Sequence, residues 1–223
     1  MASHLIAFFG PDGTGKSTHV ELLLNYFQSH KTKVKKVWVR SPHTLAYLLS
    51  CFFVKIGFYR IVSNPFGRKK KYPAVHIDRR LRLLWSLMEL VSVIPVIIFR
   101  VYAPLLLGYV VVAERYVVDT LVTIAYYTND LGFLQSLTAR LLFCFIPKKT
   151  LFIHLDSDYS TLLKRRGHTV EAYDFIEFQK MGYKILGNLV GATLIDTSNI
   201  TIEQTFTRII NQLRIGRVLQ SRT

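Results

Sequence analysis

Cysteines are scarce in this chain of 223 residues, which has two of them, Cys51 and Cys144. Neither lies in a CxxC pair or beside a histidine at the spacing of metal ligands. Two cysteines in a chain of this length exclude a disulfide framework and a cysteine zinc site. We therefore expect two buried thiols in a reducing cytoplasm.

Acidic residues are the second shortage. The chain has 14 Asp and Glu against 29 Lys and Arg, which gives a formal net charge of +15. No acidic residue occurs between Glu21 and Asp78, a stretch that carries eleven Lys and Arg. A surplus of this size predicts an anionic partner, and composition leaves open whether that partner is a phosphorylated metabolite, a nucleic acid or an acidic membrane surface.

Uninterrupted apolar runs of membrane-spanning length are also missing, although 50% of the residues are hydrophobic. A spanning helix needs about 20 predominantly apolar residues. The two most apolar stretches, 45–62 and 83–113, are interrupted by charges and prolines: Lys55, Arg60, Glu89, Pro95, Arg100 and Pro104. They predict helices buried in a core or at a dimer interface and no membrane span. The glycine loop that begins at Gly10 leaves no room for a signal peptide before it.

Short apolar runs alternate with helical patterns along the chain. The runs at 5–9, 34–40, 109–113, 150–155 and 192–195 are too brief for helices and predict buried parallel strands. Apolar residues recur at helical spacing in the intervening segments, which are 17–30, 44–62, a long stretch from 77 with a further piece after 104, 117–128, 131–145, a helix ending at 166, 171–189 and 201–219. A break or kink is expected at Pro95, and a solvated basic loop at 63–73. The alternation predicts an α/β fold.

A glycine-rich loop follows the first predicted strand directly. It reads Gly10-Pro11-Asp12-Gly13-Thr14-Gly15-Lys16-Ser17, is followed by Thr18, and fits the pattern G-x-x-x-x-G-K-[ST] between a strand and a helix. Backbone N–H groups of such a loop bind a triphosphate, a role we assign to residues 10–18. We expect Lys16 to reach the β- and γ-phosphates of ATP and Ser17 to ligate Mg²⁺. The fold is then of the P-loop NTPase type, a doubly wound five-stranded parallel sheet flanked by helices, with 1–223 forming a single domain.

A second group of candidate residues ends the third predicted strand, where Glu114, Arg115 and Tyr116 follow one another. A carboxylate and an arginine at the carboxyl end of a strand suit a site that holds a metal ion and a second phosphate together. The alternative is an ion pair at the protein surface.

Together with Arg40, which closes the second strand, and with Asp156, Arg165 and Arg166, these motifs resemble the thymidylate kinase family over nearly the whole chain. The resemblance implies that Asp12 binds the acceptor sugar hydroxyl and Arg40 the acceptor phosphate. It also implies that Glu114, Arg115 and Tyr116 serve the magnesium ion, both phosphates and the sugar face, and that the protein is a homodimer.

The resemblance further implies a lid near 164–174 that closes over the phosphates. Family members whose P-loop lacks an arginine carry arginines in this lid, and this chain has Gly13 in its P-loop. Arg165 and Arg166, with Lys164, are then the lid charges that neutralise the transferring group. The alternative is that these cations only stabilise a helix C-terminus.

The chain departs from the family pattern in two places. Glu114 stands where the Asp-Arg-Tyr motif of the family has aspartate, and it keeps the carboxylate. In the base-reading half of the pattern, the family's base-stacking aromatic is followed four residues later by an arginine. Trp85 is a candidate for the aromatic, but the residue four positions on is Glu89. Trp85 on an apolar helix also fits a core or dimer-interface position.

These residues predict a cytoplasmic kinase that transfers the γ-phosphoryl group of ATP to dTMP, giving dTDP, with Lys16, Arg115, Arg165 and Arg166 as catalytic groups. One alternative is a related P-loop kinase with another nucleoside, nucleotide or small hydroxyl acceptor. The other is a nucleotide-dependent protein that binds nucleic acid or membrane through its basic region at 31–71. No specific nucleic-acid partner is expected, because the lysine run at 68–71 lacks the interleaved aromatic residues of a recognition module.

Overall fold

The structure, a computed structural model, describes residues 4–215. Seven strands occur in this range, and in chain order they are β1 (Leu5–Phe9), β2 (Val34–Val37), β3 (Tyr59–Ser63), β4 (Lys69–Pro73), β5 (Val110–Glu114), β6 (Thr150–Asp156) and β7 (Thr193–Asp196). Nine α-helices accompany them within the same residues, namely α1 (Lys16–Ser29), α2 (Thr44–Lys55), α3 (Arg79–Ile97), α4 (Ala103–Leu106), α5 (Val117–Thr128), α6 (Leu137–Phe143), α7 (Tyr159–Arg166), α8 (Tyr173–Leu189) and α9 (Ile202–Ile215).

Five of the strands form one parallel sheet in the order β2-β5-β1-β6-β7. All five residues of the central strand β1 are buried, as expected for a strand covered by helices on both faces. The chain leaves β1 towards one edge of the sheet and later leaves β5 towards the other edge. Ligands bind at such a reversal, beyond the carboxyl ends of the strands. The predicted five-stranded parallel sheet is confirmed, and the loop at Gly10 lies at this position.

The segment 44–73 differs from the prediction. Helix α2 ends at Lys55, and the chain then forms an antiparallel hairpin in which Tyr59 pairs with Pro73 and Ser63 with Lys69. The side-chain oxygen of Asn64 closes the turn by accepting hydrogen bonds from two backbone N–H groups of the turn, at 3.0 and 2.8 Å. The predicted helix to residue 62 and the solvated loop at 63–73 were wrong, because strand pairing satisfies backbone groups that neither segment could satisfy alone.

Helix α3 continues through Pro95 and passes into a π-helical segment, Ile98–Tyr102, before α4. The helix does not break at Pro95, and the chain stays helical from Arg79 to Leu106. By length and composition alone this stretch could cross a membrane, and 33% of its most apolar window is buried in the protein. The last predicted helix, 201–219, is present up to Ile215, and 216–219 lies outside the described residues.

The two cysteines are both exposed, so the prediction of buried thiols was wrong. Helix α2 buries Ala46 and Phe53, which are two turns apart on one face. Cys51 lies on the other face of α2, and Cys144 follows α6 at the surface.

The polarity of α3 is unusual for a helix at the edge of a core. Its solvent-exposed side carries a row of apolar residues spaced three, four and seven positions apart, which places them on one face of the helix. Its buried side includes Ser86, Glu89 and Ser92. The row consists of Leu84, Leu87 and Val91 and continues to Ile98 at the start of the π-helical segment, and each of the four is 44% to 54% exposed. Glu89 is 0% exposed, and burial raises the pKa of its carboxyl from 4.5 to about 8, a rise that the nearby Ser41 hydroxyl opposes.

We expect the stability of the protein to depend on the protonation of Glu89. With its pKa at about 8 in the folded protein and 4.5 in the unfolded chain, the folded state retains a proton that the unfolded state releases, so stability falls as pH rises through this window. Glu89→Gln removes that loss. In urea titrations the free energy of unfolding of the variant should rise relative to that of the wild type between pH 5 and pH 8, by about 3 kcal/mol at most. A constant difference across this range would contradict the assignment.

Candidate active site

The loop at residues 10–15 joins β1 to α1 at the centre of the sheet. Gly10 has a φ of 135°, and a Cβ atom there would overlap the backbone carbonyl oxygen of Leu155 on β6. Gly15 also has a positive φ, 90°, and caps α1. The backbone of the loop can turn in this way because glycine adopts positive φ without steric cost. The turn places the N-terminus of α1 at the carboxyl end of β1.

Lys16 is buried inside the loop. Its Nζ donates to the carbonyl oxygens of Gly10 at 2.8 Å and Pro11 at 2.5 Å and lies 3.8 Å from a carboxylate oxygen of Asp12. Burial, aided by the charge of Arg115, lowers the pKa of Lys16 to about 7. Phosphate oxygens entering the loop would add negative charge beside this amine and favour its protonated form.

Ser17 and Glu114 meet at the rim of the loop, where the Ser17 hydroxyl donates to a carboxylate oxygen of Glu114. The other carboxylate oxygen of Glu114 forms an ion pair with Lys36, whose Nζ lies 3.0 Å away. Within residues 4–215 no three His, Cys, Asp or Glu side chains gather as a metal cage. One hydroxyl and one carboxylate fit Mg²⁺, which binds few protein ligands and completes its coordination with water and phosphate oxygens.

Asp12 is the most highly connected acid of the site. Burial opposes its ionisation, but the positive charges of Arg115, Lys16 and Arg40 outweigh this and lower the pKa of Asp12. Arg115 donates to Asp12 and, at 2.5 Å, to Asp119, which also accepts from Tyr183 at 3.0 Å.

Arg115 is held at a φ of 83°, a backbone conformation that is strained for a residue with a side chain. Its contacts to two carboxylates offset that strain, and they hold Asp12 beyond the carboxyl end of the central strand β1.

Two cavities meet at Asp12. The first, of 440 Å³, is lined by the loop and by groups around it, including Ser17, Glu114, Arg165, Arg166 and Thr197. The second, of 530 Å³, is lined by the other side of the site, including Arg40, Ser41, Arg68, Lys70, Tyr72, Thr123, Tyr127 and Phe175. Asp12 and Arg166 line both cavities, so ligands bound in the two would approach each other there.

The two arginines that end α7 differ in their contacts. Arg165 donates to the backbone oxygen of Thr197 at 2.6 Å and to its hydroxyl at 3.1 Å, and it approaches the carbonyl of Gly13 at 3.4 Å. Arg166 instead packs its chain against Gly13, where a Cβ atom would lie 2.9 Å from the Arg166 Cγ. The side chain that Gly13 lacks therefore leaves room for Arg166, whose charge helps to lower the pKa of Asp12.

The hairpin β3–β4 contributes residues that sequence reasoning missed. Arg68, Lys70 and Tyr72 line the second cavity. The amide of Asn64 donates to the carbonyl oxygens of His168 and Val170, each at 2.9 Å, and Lys70 pairs with Glu171. The hairpin is thus attached to the segment that follows α7. The aromatic and β-branched residues in Tyr59-Arg60-Ile61-Val62 were a signal for a strand.

Two predicted substrate-binding residues lie away from both cavities. Tyr116 is 1% exposed, and its hydroxyl donates to the carbonyl oxygen of Phe145 at 2.6 Å. Trp85 is 0% exposed and stacks on Tyr127, with ring centroids 5.0 Å apart. The expectation that Trp85 offers a face to a base is corrected, because its ring lies in the core behind Tyr127, which itself lines the second cavity. Tyr116 likewise serves the core, since its hydroxyl is already bonded there.

The position of a G-x-x-x-x-G-K-[ST] loop at the central strand of a parallel sheet, with helices on both faces, defines an α/β fold of the P-loop NTPase class. Among solved structures the chain is similar to thymidylate kinases. The structure of the Candida albicans thymidylate kinase matches with a TM-score of 0.59 and 18% identity, over 97% of this chain and 93% of the other. That of the Ehrlichia chaffeensis thymidylate kinase matches with a TM-score of 0.58 and 19% identity, over 96% and 100%.

No family model and no curated protein matches the sequence. The resemblance inferred from the motifs is thus confirmed at the level of the fold, which this chain shares with both thymidylate kinases.

Gly10→Ala should destabilise the protein, because the new methyl group would overlap the backbone of β6. We expect a loss of about 3 kcal/mol or more in the free energy of unfolding, measured in urea. Gly187→Ala is the matched control, since its Cβ would make an ordinary contact with Phe9 at 3.5 Å and alanine favours the helix. Similar stabilities of the two variants would show that the close approach at Gly10 is absent.

Proposed function

We propose that this protein is an ATP-dependent nucleoside monophosphate kinase of the thymidylate kinase type, which transfers the γ-phosphoryl group of ATP to dTMP to give dTDP in the cytoplasm. The observation that carries the proposal is the pair of cavities that share Asp12 and Arg166, one of them built on a phosphate-binding loop. A phosphoryl donor and an acceptor bound on the two sides would have their reacting atoms close together.

On the donor side, the backbone N–H groups of residues 10–18 and the ammonium of Lys16 would bind the phosphates of ATP. Ser17 and Glu114 would hold Mg²⁺, which neutralises phosphate charge when bound. Arg165 is anchored to the loop through Gly13 and Thr197, whereas Arg166 reaches the junction of the cavities. We assign Arg166 the neutralisation of charge on the transferring group, within a lid at 164–174.

On the acceptor side, ionised Asp12 would orient the acceptor sugar hydroxyl, and Arg115 would hold Asp12 in place. Arg40 would bind the acceptor phosphate. Its guanidinium lies 3.5 Å from Asp12, a loose contact, and is partly exposed to the second cavity. The planar fork of arginine suits two phosphate oxygens at once.

The basic region that suggested nucleic acid or membrane as a partner contributes to this second cavity. Arg40, Arg68 and Lys70 all belong to the acid-free stretch and all line it. Their convergence on a cleft of small-molecule size favours a compact phosphorylated acceptor over an extended polyanion.

The acceptor is identified by a coupled assay of ADP release with ATP and a panel of nucleoside monophosphates, with Lys16→Ala as the inactive reference. We expect dTMP to be the preferred acceptor. Preference for an unphosphorylated acceptor, or ADP release equal in Lys16→Ala, would contradict the proposal.

Arg40→Ala separates acceptor binding from donor binding. We expect the KM for dTMP to rise by about 10-fold to 100-fold, because a charge-assisted contact to phosphate is lost, while the KM for ATP stays within about threefold. Steady-state kinetics with each substrate varied in turn measures both values. Arg208→Ala, on α9, is the matched control. An equal rise in both KM values would remove Arg40 from the acceptor site.

We infer that two copies of the chain associate through the exposed apolar row of α3. Leu84, Leu87, Val91 and Ile98 follow the spacing of a helix-packing seam, and leaving them in water costs free energy.

Leu87→Glu should convert a dimer to a monomer in light scattering at about 10 μM, because it places a charge in the seam. The control is Leu194→Glu, a 61% exposed position on edge strand β7. A monomeric wild type would overturn this inference.

A further inference from the structure

Asn64 lies between the hairpin and the lid at 164–174, and it is 9% exposed. Its side-chain oxygen accepts from the backbone N–H groups of Phe66 and Arg68, at 3.0 and 2.8 Å. Its side-chain nitrogen donates to the carbonyl oxygens of His168 and Val170, each at 2.9 Å. An asparagine amide has two donors and two acceptor positions, so this side chain is fully used. Asn64 thus joins the hairpin to a segment 104 residues further along the chain.

On the hairpin side, Asn64 fixes the backbone of Arg68 just before β4. The backbone N–H of Asn64 also donates to the carbonyl oxygen of Arg68 at 3.0 Å. Arg68 lines the second cavity, and its guanidinium has no hydrogen-bond or ion-pair partner among residues 4–215. The backbone of this arginine is therefore held in place, while its charge is available to an anion in the cavity.

On the lid side, Asn64 holds a short turn that begins at Arg166. The two carbonyl groups that it binds, those of His168 and Val170, lie on either side of Thr169 in the chain. The Thr169 hydroxyl donates to the carbonyl oxygen of Arg166 at 2.7 Å. Arg166 and Thr169 both line the second cavity. The hydrogen bonds therefore continue from Asn64 through this turn to the backbone of Arg166.

A second set of contacts joins the same two segments. Lys70 of β4 forms an ion pair with Glu171. The rings of Phe66 and His168 meet edge to face, with their centroids 4.5 Å apart. Several independent contacts of this kind resist separation better than one, so the hairpin and the lid turn form one body beside the second cavity.

This body gives the acceptor a physical connection to the donor side. Arg166 lines both cavities, whereas Arg68 lines only the second of the two. A phosphate bound by Arg68 restrains the hairpin, and through Asn64 it restrains the turn that carries Arg166. Once one ligand has ordered this body, the other ligand does not have to order it again, so the two should bind cooperatively.

We propose that Asn64 is a positioning residue that joins the hairpin to the lid, so that an acceptor nucleotide bound by Arg68 also places Arg166 beside the donor phosphates. This inference rests on the proposed function and adds to it a coupling between the two substrates. Arg68 touches the acceptor, Arg166 touches the transferring group, and Asn64 acts through both.

The test measures this coupling by calorimetry, as the Kd of dTMP alone divided by its Kd in the presence of Mg²⁺ and the non-hydrolysable ATP analogue AMP-PNP. We expect a ratio of about 10 in the wild type. Asn64→Asp keeps an oxygen that accepts from the hairpin turn, but it replaces the two N–H donors by an oxygen that repels the carbonyl groups of the lid.

Asn64→Asp should lower the ratio to about one and lower kcat about 10-fold, with the Kd of AMP-PNP alone within about threefold of the wild-type value. A residue that served stability alone would leave the ratio unchanged in the folded protein. Asn188→Asp, the same change at an exposed position of α8, is the control and should keep the wild-type ratio.

Glu171→Ala breaks the second link from the lid side, and it carries the test if Asn64→Asp does not fold. We expect it to lower the ratio by about threefold or more. Arg68→Ala should weaken the binding of dTMP about 10-fold and abolish the coupling. Lys69→Ala is its matched control, because Lys69 is the next basic residue and does not line the second cavity. If another nucleoside monophosphate is the better acceptor, the ratio is measured with that nucleotide.

A wild-type ratio in folded Asn64→Asp would overturn the inference, because the substrates would then be coupled without the hairpin. Unchanged dTMP binding in Arg68→Ala would overturn it as well. A wild type that phosphorylates dTMP but binds its two substrates independently would also overturn it, while leaving the kinase proposal intact. A wild type that phosphorylates no nucleoside monophosphate would overturn both.

Discussion

The guanidinium of Arg115 joins the parts of the site that come from distant points of the chain. It leaves the end of β5 and contacts Asp12 from the loop after β1 and Asp119 from α5, and Asp119 in turn accepts from Tyr183 of α8. A buried guanidinium is favourable only when carboxylates balance its charge, so these elements cannot separate without leaving a charge unpaired. The strained backbone at Arg115 is maintained by the same contacts.

This balance also decides which charges are left for ligands. Asp12 is kept ionised by the surrounding cations, and Lys16 is retained by carbonyl oxygens of its own loop. Arg166 makes no side-chain hydrogen bond among the described residues, and Arg40 makes only its long contact with Asp12. The guanidiniums available to an anion thus lie where the two cavities meet. Part of the basic surplus of the sequence therefore lines the two cavities, where positive charge attracts an anionic ligand.

The hairpin and α3 lie on the side of the fold that holds the second cavity. The hairpin brings Arg68 and Lys70 to the cavity and is tied to the segment after α7 through Asn64 and Glu171. Helix α3 buries Glu89 beside apolar residues such as Trp85 and leaves leucines exposed to water, which is unusual for a surface helix.

The amino-acid sequence by itself determined the phosphate-binding loop, the five parallel strands and the side chains at their carboxyl ends, because these depend on local spacing and on the requirement that buried strands be apolar. Gly10, Lys16, Ser17 and Glu114 could be placed in this way. Only the tertiary structure decided that Tyr116 and Trp85 turn into the core, that 59–73 is a hairpin lining the second cavity, and that Arg166 fills the space beside Gly13. Each of these depends on contacts between residues far apart in the chain, whose energies no local pattern contains.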